Sequence, residues 1–312
     1  MAVITVTLNP AVDEKYRVKE LKHRGWTRAV EVDRSAGGKG INVSRILKQL
    51  GHDSIVMGFI GGFTGELVRV EMEKLEITSA LCYIKGDTRI DTFITDLTGE
   101  LQVGITEEGP VIRPQELRRF KRSYGRMLNR ADFVYMGGSL PKGVPDDIYA
   151  ELISEAKDRG KMTFLEAAGT PLLKGIEASP DFVKIDHRYV SEIYGHSIKE
   201  LNDIIKAVRE IEKKGNIKYI VIDYHESGDV FRTPEGYFLV ELTEYKPVKI
   251  LGGGDALVAA FIASLIEGMS LEESIIFSMA TAYEELLHLE EGIRSREHVE
   301  RLKPLVKLRR LE

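Results

Sequence analysis

Six short apolar runs, set among stretches of helical periodicity, constrain this 312-residue chain more than any other feature. VITVTL (3–8), SIVMGFI (54–60), FVYMG (133–137), MTFL (162–165), DFVKI (181–185) and YIVID (219–223) are near-continuous hydrophobic segments. That pattern suits strands covered on both faces, as in a parallel sheet. Val43, Ile46, Leu47 and Leu50 recur at helical spacing before Gly51, and PQELRRFKRSYGRMLNRA places Pro in a first turn. Strand and helix in alternation require crossover connections. The spacing therefore predicts an α/β fold with a doubly wound, mainly parallel sheet flanked by helices.

Two segments break the rhythm. Residues 14–35 and 87–106 alternate apolar and polar residues with no helix between. Alternation implies one buried and one wet face, so these segments predict a small antiparallel sheet outside the main one. Without linker, repeat or low-complexity tract, residues 1–312 are expected to form a single domain carrying that sheet as a β lid.

Several functional classes are disfavoured. The net charge of −5 does not fit a nucleic-acid protein, whose footprint is basic. Cys82 is the only cysteine, which rules out an intrachain disulfide. No apolar run approaches the roughly 18 residues of a membrane helix. The N-terminal stretch turns polar after seven residues, unlike a signal peptide, so a cytoplasmic location is expected.

Three glycine-bearing stretches carry the chemistry. SAGGKGINVSR (35–45) opens a helix, where free amides and Lys39 make an anion site. It is not a Walker A loop, because Gly40 follows the lysine; a plain loop-to-helix turn is the alternative. MGGSLPKGVP (136–145) follows a predicted strand, where ligands of open α/β sheets collect, although a Gly/Pro loop would look the same. KILGGGDALVAAF (249–261) sets three glycines and Asp255 at the start of an apolar helix. Glycine amides there can hold developing negative charge, whereas a helix-capping acid would need no such run. The seven histidines show no ligand spacing, and no G-x-G-x-x-G follows a strand.

Together these stretches, with TLNPAVD (7–13), GFIGGFTGE (58–66) and TRID (88–91), resemble the ribokinase-like carbohydrate kinases. They are most similar to the branch that holds the 1-phosphofructokinases and tagatose-6-phosphate kinases, and they run in family order over nearly the whole chain. The resemblance implies an ATP- and Mg²⁺-dependent kinase with a ribokinase-like fold, converting fructose 1-phosphate to fructose 1,6-bisphosphate. Tagatose 6-phosphate and fructose 6-phosphate are alternative acceptors, and the lid implies a homodimer contact. Carried over by position, the resemblance gives Asp13 the sugar hydroxyls. It places Gly38, Lys39, Asn42 and Ser139 in the sugar-phosphate pocket and Arg89 on the substrate's own phosphate. Gly252, Gly253 and Gly254 form the anion hole, and Asp255 is the catalytic proton acceptor.

The nucleotide side departs from the family pattern. Lys249 and Ile250 replace an Asp-Thr pair, Asp186 and Tyr189 replace an Asn and a Glu, and His225 stands where glycine is common. Lys184 and Gly228 persist, and Glu166-Ala167-Ala168-Gly169 replaces Asp-Thr-Ser-Gly. One reading is a rebuilt nucleotide site in which Lys184, Gly228 and Lys249 serve ATP and Asp186 binds magnesium. The other is a decayed kinase that survives as a sugar-phosphate sensor or regulatory subunit.

Overall fold

The apolar runs become neighbouring strands of one large sheet. The computed structural model describes residues 2–98, 101–195, 198–225, 228–242, 246–249 and 251–311; Ile250 and the His225 side chain lie outside them. The strands are β1 (Val3–Thr7), β2 (Ala11–Val18), β3 (Ala29–Gly37), β4 (Ser54–Ile60), β5 (Thr78–Ser79), β6 (Cys82–Tyr83), β7 (Arg89–Asp96) and β8 (Gln102–Ile105). They continue as β9 (Phe133–Gly137), β10 (Met162–Glu166), β11 (Phe182–Ile185), β12 (Tyr219–His225), β13 (Gly228–Thr233), β14 (Gly236–Glu241) and β15 (Lys307–Arg310). The helices are α1 (Lys39–Gln49), α2 (Gly62–Lys74), α3 (Pro114–Met127), α4 (Ile148–Asp158) and α5 (Gly169–Glu177). After them come α6 (His187–Tyr194), α7 (Leu201–Lys214), α8 (Gly253–Glu267), α9 (Leu271–Leu286) and α10 (Arg296–Leu302).

The large sheet runs β15-β14-β13-β12-β11-β10-β9-β1-β4-β5, with β6 also on β4. Pairing is parallel from β12 to β5 and antiparallel from β12 to β15. From β1 the chain winds to β4 in one direction and from β9 to β12 in the other. The winding therefore reverses around β1, the point where open α/β sheets hold ligands beyond their carboxyl ends.

Residues of α3, α4, α5 and α7, among them Phe120, Tyr149, Leu172 and Ile211, pack one core. Residues of α1, α8, α9 and α10 pack another. The α8 sequence is apolar around its whole circumference because it is enclosed, with Ala256 to Ser264 all buried. Phe261 anchors it, its ring 5.0 Å from Phe182 and 5.1 Å from Tyr219.

The two alternating segments form a separate sheet ordered β3-β2-β7-β8. Its local pairs β2–β3 and β7–β8 are antiparallel. They join through a parallel β2–β7 contact, which alternation could not foresee because either orientation has the same side-chain period. Val30 and Val32 of β3 are about half exposed, and Trp26 in the preceding loop is 95% exposed. The apolar face of β3 is thus not covered by its own chain.

Candidate active site

Two glycine-led helix starts meet at the winding reversal. Gly38 precedes α1 with φ 117°, and Gly252 precedes α8 with φ 98°, both in the region that disfavours side chains. Crowding adds to the requirement at Gly252, where a Cβ would lie 2.7 Å from Glu285 Oε1. At Gly254 a Cβ would lie 3.2 Å from both Glu166 Oε1 and Lys184 Nζ, so the bare turn lets charged groups approach the backbone closely. The first amides of α8 have no carbonyl to bond within the helix, and the dipole adds positive potential there.

Asp255 stands in that first turn, 6% exposed. Asn42 Nδ2 donates to its Oδ2 at 2.8 Å, and Lys39 Nζ donates to its Oδ1 at 3.2 Å. Lys39 also donates to Glu166 Oε1 at 2.7 Å, while the Tyr135 hydroxyl donates to Glu166 Oε2 at 3.0 Å. One cation therefore bridges two buried carboxylates. Burial, with the Glu166 charge added, pushes the Asp255 carboxyl up to about 6 against the pull of Lys39. At Glu166 burial works the same way but is outweighed by Lys39 and Lys184, which hold that carboxyl below its ordinary range. Burial opposes the charge on Lys39, yet Asp255 and Glu166 raise its pKa. Two adjacent acids thus differ: Glu166 is a fixed anion, and Asp255 is the better proton acceptor.

Lys39, Asn42 and Asp255 open onto a cavity of about 360 Å³, a size for a small molecule. Asp13, Gly38, Lys39, Asn42, Arg89, Ser139, Lys249, Gly252 and Asp255 all line it. Asp13 lies over Gly37, where a Cβ would come within 2.2 Å of its oxygens, and burial pushes its carboxyl up to about 6. Arg89 is fixed by its neighbours: Nε donates to Asn9 O at 3.1 Å and Nη1 to Asp91 Oδ1 at 2.8 Å and Glu107 O at 3.1 Å. Asn9 Nδ2 donates to Ser139 Oγ at 3.2 Å, which ties Arg89 and Ser139 into one corner.

Gly253 and Gly254, the first residues of α8, do not line this cavity. Lys184, Asp186 and Gly228 are outside this cavity, toward β11–β13. Lys184 is buried and paired with Asp223, its amine beneath Gly254. Asp186 caps α6, accepting from Arg188 N at 2.9 Å, and pairs with the Arg188 guanidinium. Asp186, His187 and Asp223 can bring ligand atoms within 4.8 Å of one another, and the two carboxylates suit a hard divalent ion. Lys249 is held by Glu285 Oε1 at 2.5 Å and by the Glu290 carbonyl at 2.6 Å.

Glu166 was legible only as a departure on the nucleotide side, yet its side chain sits beside Asp255. The available signal was its place at the carboxyl end of a predicted strand. Lys15, paired with Glu291, also lines the cavity, and β-alternation already put it on the Asp13 face of β2.

A family model described as pfkB family carbohydrate kinase matches residues 6–288. The 1-phosphofructokinase of Bacillus subtilis is 31% identical over 313 residues, covering 99% of this chain and all of that protein. A possible 1-phosphofructokinase from Thermotoga maritima superposes with a TM-score of 0.93 at 29% identity, covering both chains completely. Phosphofructokinase-2 of Escherichia coli, solved with substrates and products, gives 0.88 at 24% identity over 97% of this chain and 99% of its own. At that identity the likeness concerns the fold.

Proposed function

The chain belongs to the pfkB family of carbohydrate kinases, and from that premise we propose that it phosphorylates fructose 1-phosphate with ATP, giving fructose 1,6-bisphosphate. The observation that carries this reading is the pairing of Asp255 with Lys39 at the glycine turn, in a cavity that also holds Arg89. Arg89, fixed in the cavity wall by Asp91 and two carbonyls, presents a planar guanidinium suited to a phosphate already on the substrate.

In the proposed reaction the sugar hydroxyl oxygen attacks the γ-phosphorus of ATP, and the bond to the ADP oxygen breaks. Asp255 takes the hydroxyl proton, late in a loose transition state that asks little of its base. The first amides of α8 face the charge on the moving phosphoryl group, with Lys184 beneath them. Lys39 and Asn42 orient the Asp255 carboxylate, and Asp13 receives the sugar hydroxyls. Arg89 and Ser139 hold the phosphate already on the sugar. Magnesium, which neutralises nucleotide phosphates, would be held by Asp186 and Asp223. The exposed apolar face of β3, with Trp26, is the surface through which two copies would pair, each using its small sheet as a lid.

Acceptor choice is tested by offering ATP, magnesium and, in turn, fructose 1-phosphate, tagatose 6-phosphate and fructose 6-phosphate, scoring ADP release. The expected ranking puts fructose 1-phosphate first by kcat/KM; a ranking led by either other sugar would reassign the substrate.

Two consequences are measurable on the same assay. Arg89→Ala removes a charge-assisted contact worth about 1.5–3 kcal/mol, so KM for the sugar phosphate should rise by about 10- to 100-fold. An unchanged KM would move the substrate phosphate to another corner. The pH profile should show an acid limb. Asp255 must be ionised to accept a proton and burial pushes its carboxyl up to about 6, so kcat/KM, which reports the free enzyme, should fall as pH drops through 6 and level off above it. A kcat/KM that stays flat from pH 8 to pH 5 would remove Asp255 from the proton path.

A further inference from the structure

The glycine turn has an electrostatic problem at its back. The end of α9 lies against it: Val248 N donates to Leu286 O at 2.8 Å, and a Cβ on Gly253 would meet Leu286 Cδ1 at 2.9 Å. A helix C-terminus carries negative potential, and Glu285, in the last turn of α9, adds a carboxylate. That carboxylate is buried, its Oε1 lies under Gly252, and its Oε2 has no hydrogen-bond partner among the described residues. An anion-binding turn backed by an uncompensated acid would repel the group it is meant to hold.

Lys249, three residues before Gly252, supplies the compensation. Its side chain is 14% exposed, and its ammonium spans Glu285 Oε1 and the Glu290 carbonyl. The other charges facing this spot are Arg45, which pairs with Glu291, and Lys15, also on Glu291. Glu285 is also the strongest charge acting on Arg45, yet among the described residues the Lys249 ammonium is the cation bonded to it.

We propose that Lys249 is a positioning residue that neutralises Glu285 behind the glycine turn, making the turn competent for a phosphoryl group without itself touching the nucleotide. This rests on the kinase reading above. It turns the Lys249 departure from the family pattern into part of the anion site's construction and gives the residue a role other than nucleotide contact.

The test compares wild type, Lys249→Met and the double variant Lys249→Met/Glu285→Gln with fructose 1-phosphate and ATP. Lys249→Met should lower kcat by about 10²-fold, the scale of losing one anion-hole element, with KM for ATP within about threefold of wild type. The double variant no longer carries the unpaired carboxylate and should regain at least about tenfold of that loss. If Lys249→Met does not fold, the double variant carries the test alone and should turn over within about tenfold of wild type. Two results would overturn the inference: a Lys249→Met kcat near that of wild type, or a folded double variant with no recovery and a raised KM for ATP. Wild type without turnover on any sugar phosphate would overturn the kinase reading and this inference together, whereas the first two results leave the kinase reading intact.

Discussion

Asp255→Asn is expected to reduce kcat by at least about 10²-fold while the protein still folds and melts within a few degrees of the parent. The amide keeps the size of the side chain, and its one oxygen can accept from Lys39 or Asn42 though not from both, so the first turn of α8 should hold its shape with one bond lost. It cannot take a proton from an attacking hydroxyl. Glu166 cannot step in, because Lys39 and Lys184 hold its carboxyl below the ordinary range. The loss should appear in kcat, with KM for the sugar phosphate moving by only a few-fold, since the contact removed acts in the transition state. A variant with ordinary turnover and a lower melting temperature would reduce Asp255 to a charge that complements the helix start.

Lys39→Met is expected to make turnover strongly pH-dependent. The substitution leaves Glu166 and Asp255 without the cation that bridges them. Asp255 then keeps its burial and its repulsion from Glu166 but loses its attraction to Lys39, so its pKa moves up from about 6. The acid limb of the kcat/KM profile should shift to higher pH, and kcat/KM at pH 7 should fall by about 10- to 100-fold, with partial recovery at pH 9. The Lys39 side chain is 38% exposed toward the cavity, so the stability loss should be smaller than for a wholly buried pair. Turnover that falls equally at every pH would mean that Lys39 acts on the substrate and not through Asp255.

The sequence made the sheet legible because buried parallel strands are written as unbroken apolar runs, and each of the six runs became a strand. β13, β14 and β15 went unread. GDVFRT and GYFLVE break their apolar runs with glycine and charged residues, while β15 is mostly basic and joins the sheet from the far end of the chain. The small sheet was visible as alternation, but its exposed valines were not. Alternation signals a face that will be covered without saying whether the cover comes from the same chain.

The active-site helix starts were legible through their glycines, which record where backbone must bend or approach a ligand. The bonds around Asp255 were not, because Lys39 and Asn42 on α1 reach it across more than 200 residues of chain, and Lys39 reaches Glu166 on β10 across more than 100. Lys249 shows the limit most plainly. Its charge suggested a reach toward nucleotide phosphates, and only the packing of α9 reveals Glu285 as the group that holds it.

Rate and binding measured together on the unaltered protein bear most directly on whether the glycine turn and Asp255 perform phosphoryl transfer. Fructose 1-phosphate, ATP and magnesium are supplied at saturation, ADP release is followed, and sugar-phosphate binding is titrated calorimetrically. Sustained release of one ADP per fructose 1,6-bisphosphate formed is the predicted result. Tight binding of the sugar phosphate with no ADP beyond the uncatalysed background would contradict it and identify a protein that senses the sugar phosphate without phosphorylating it.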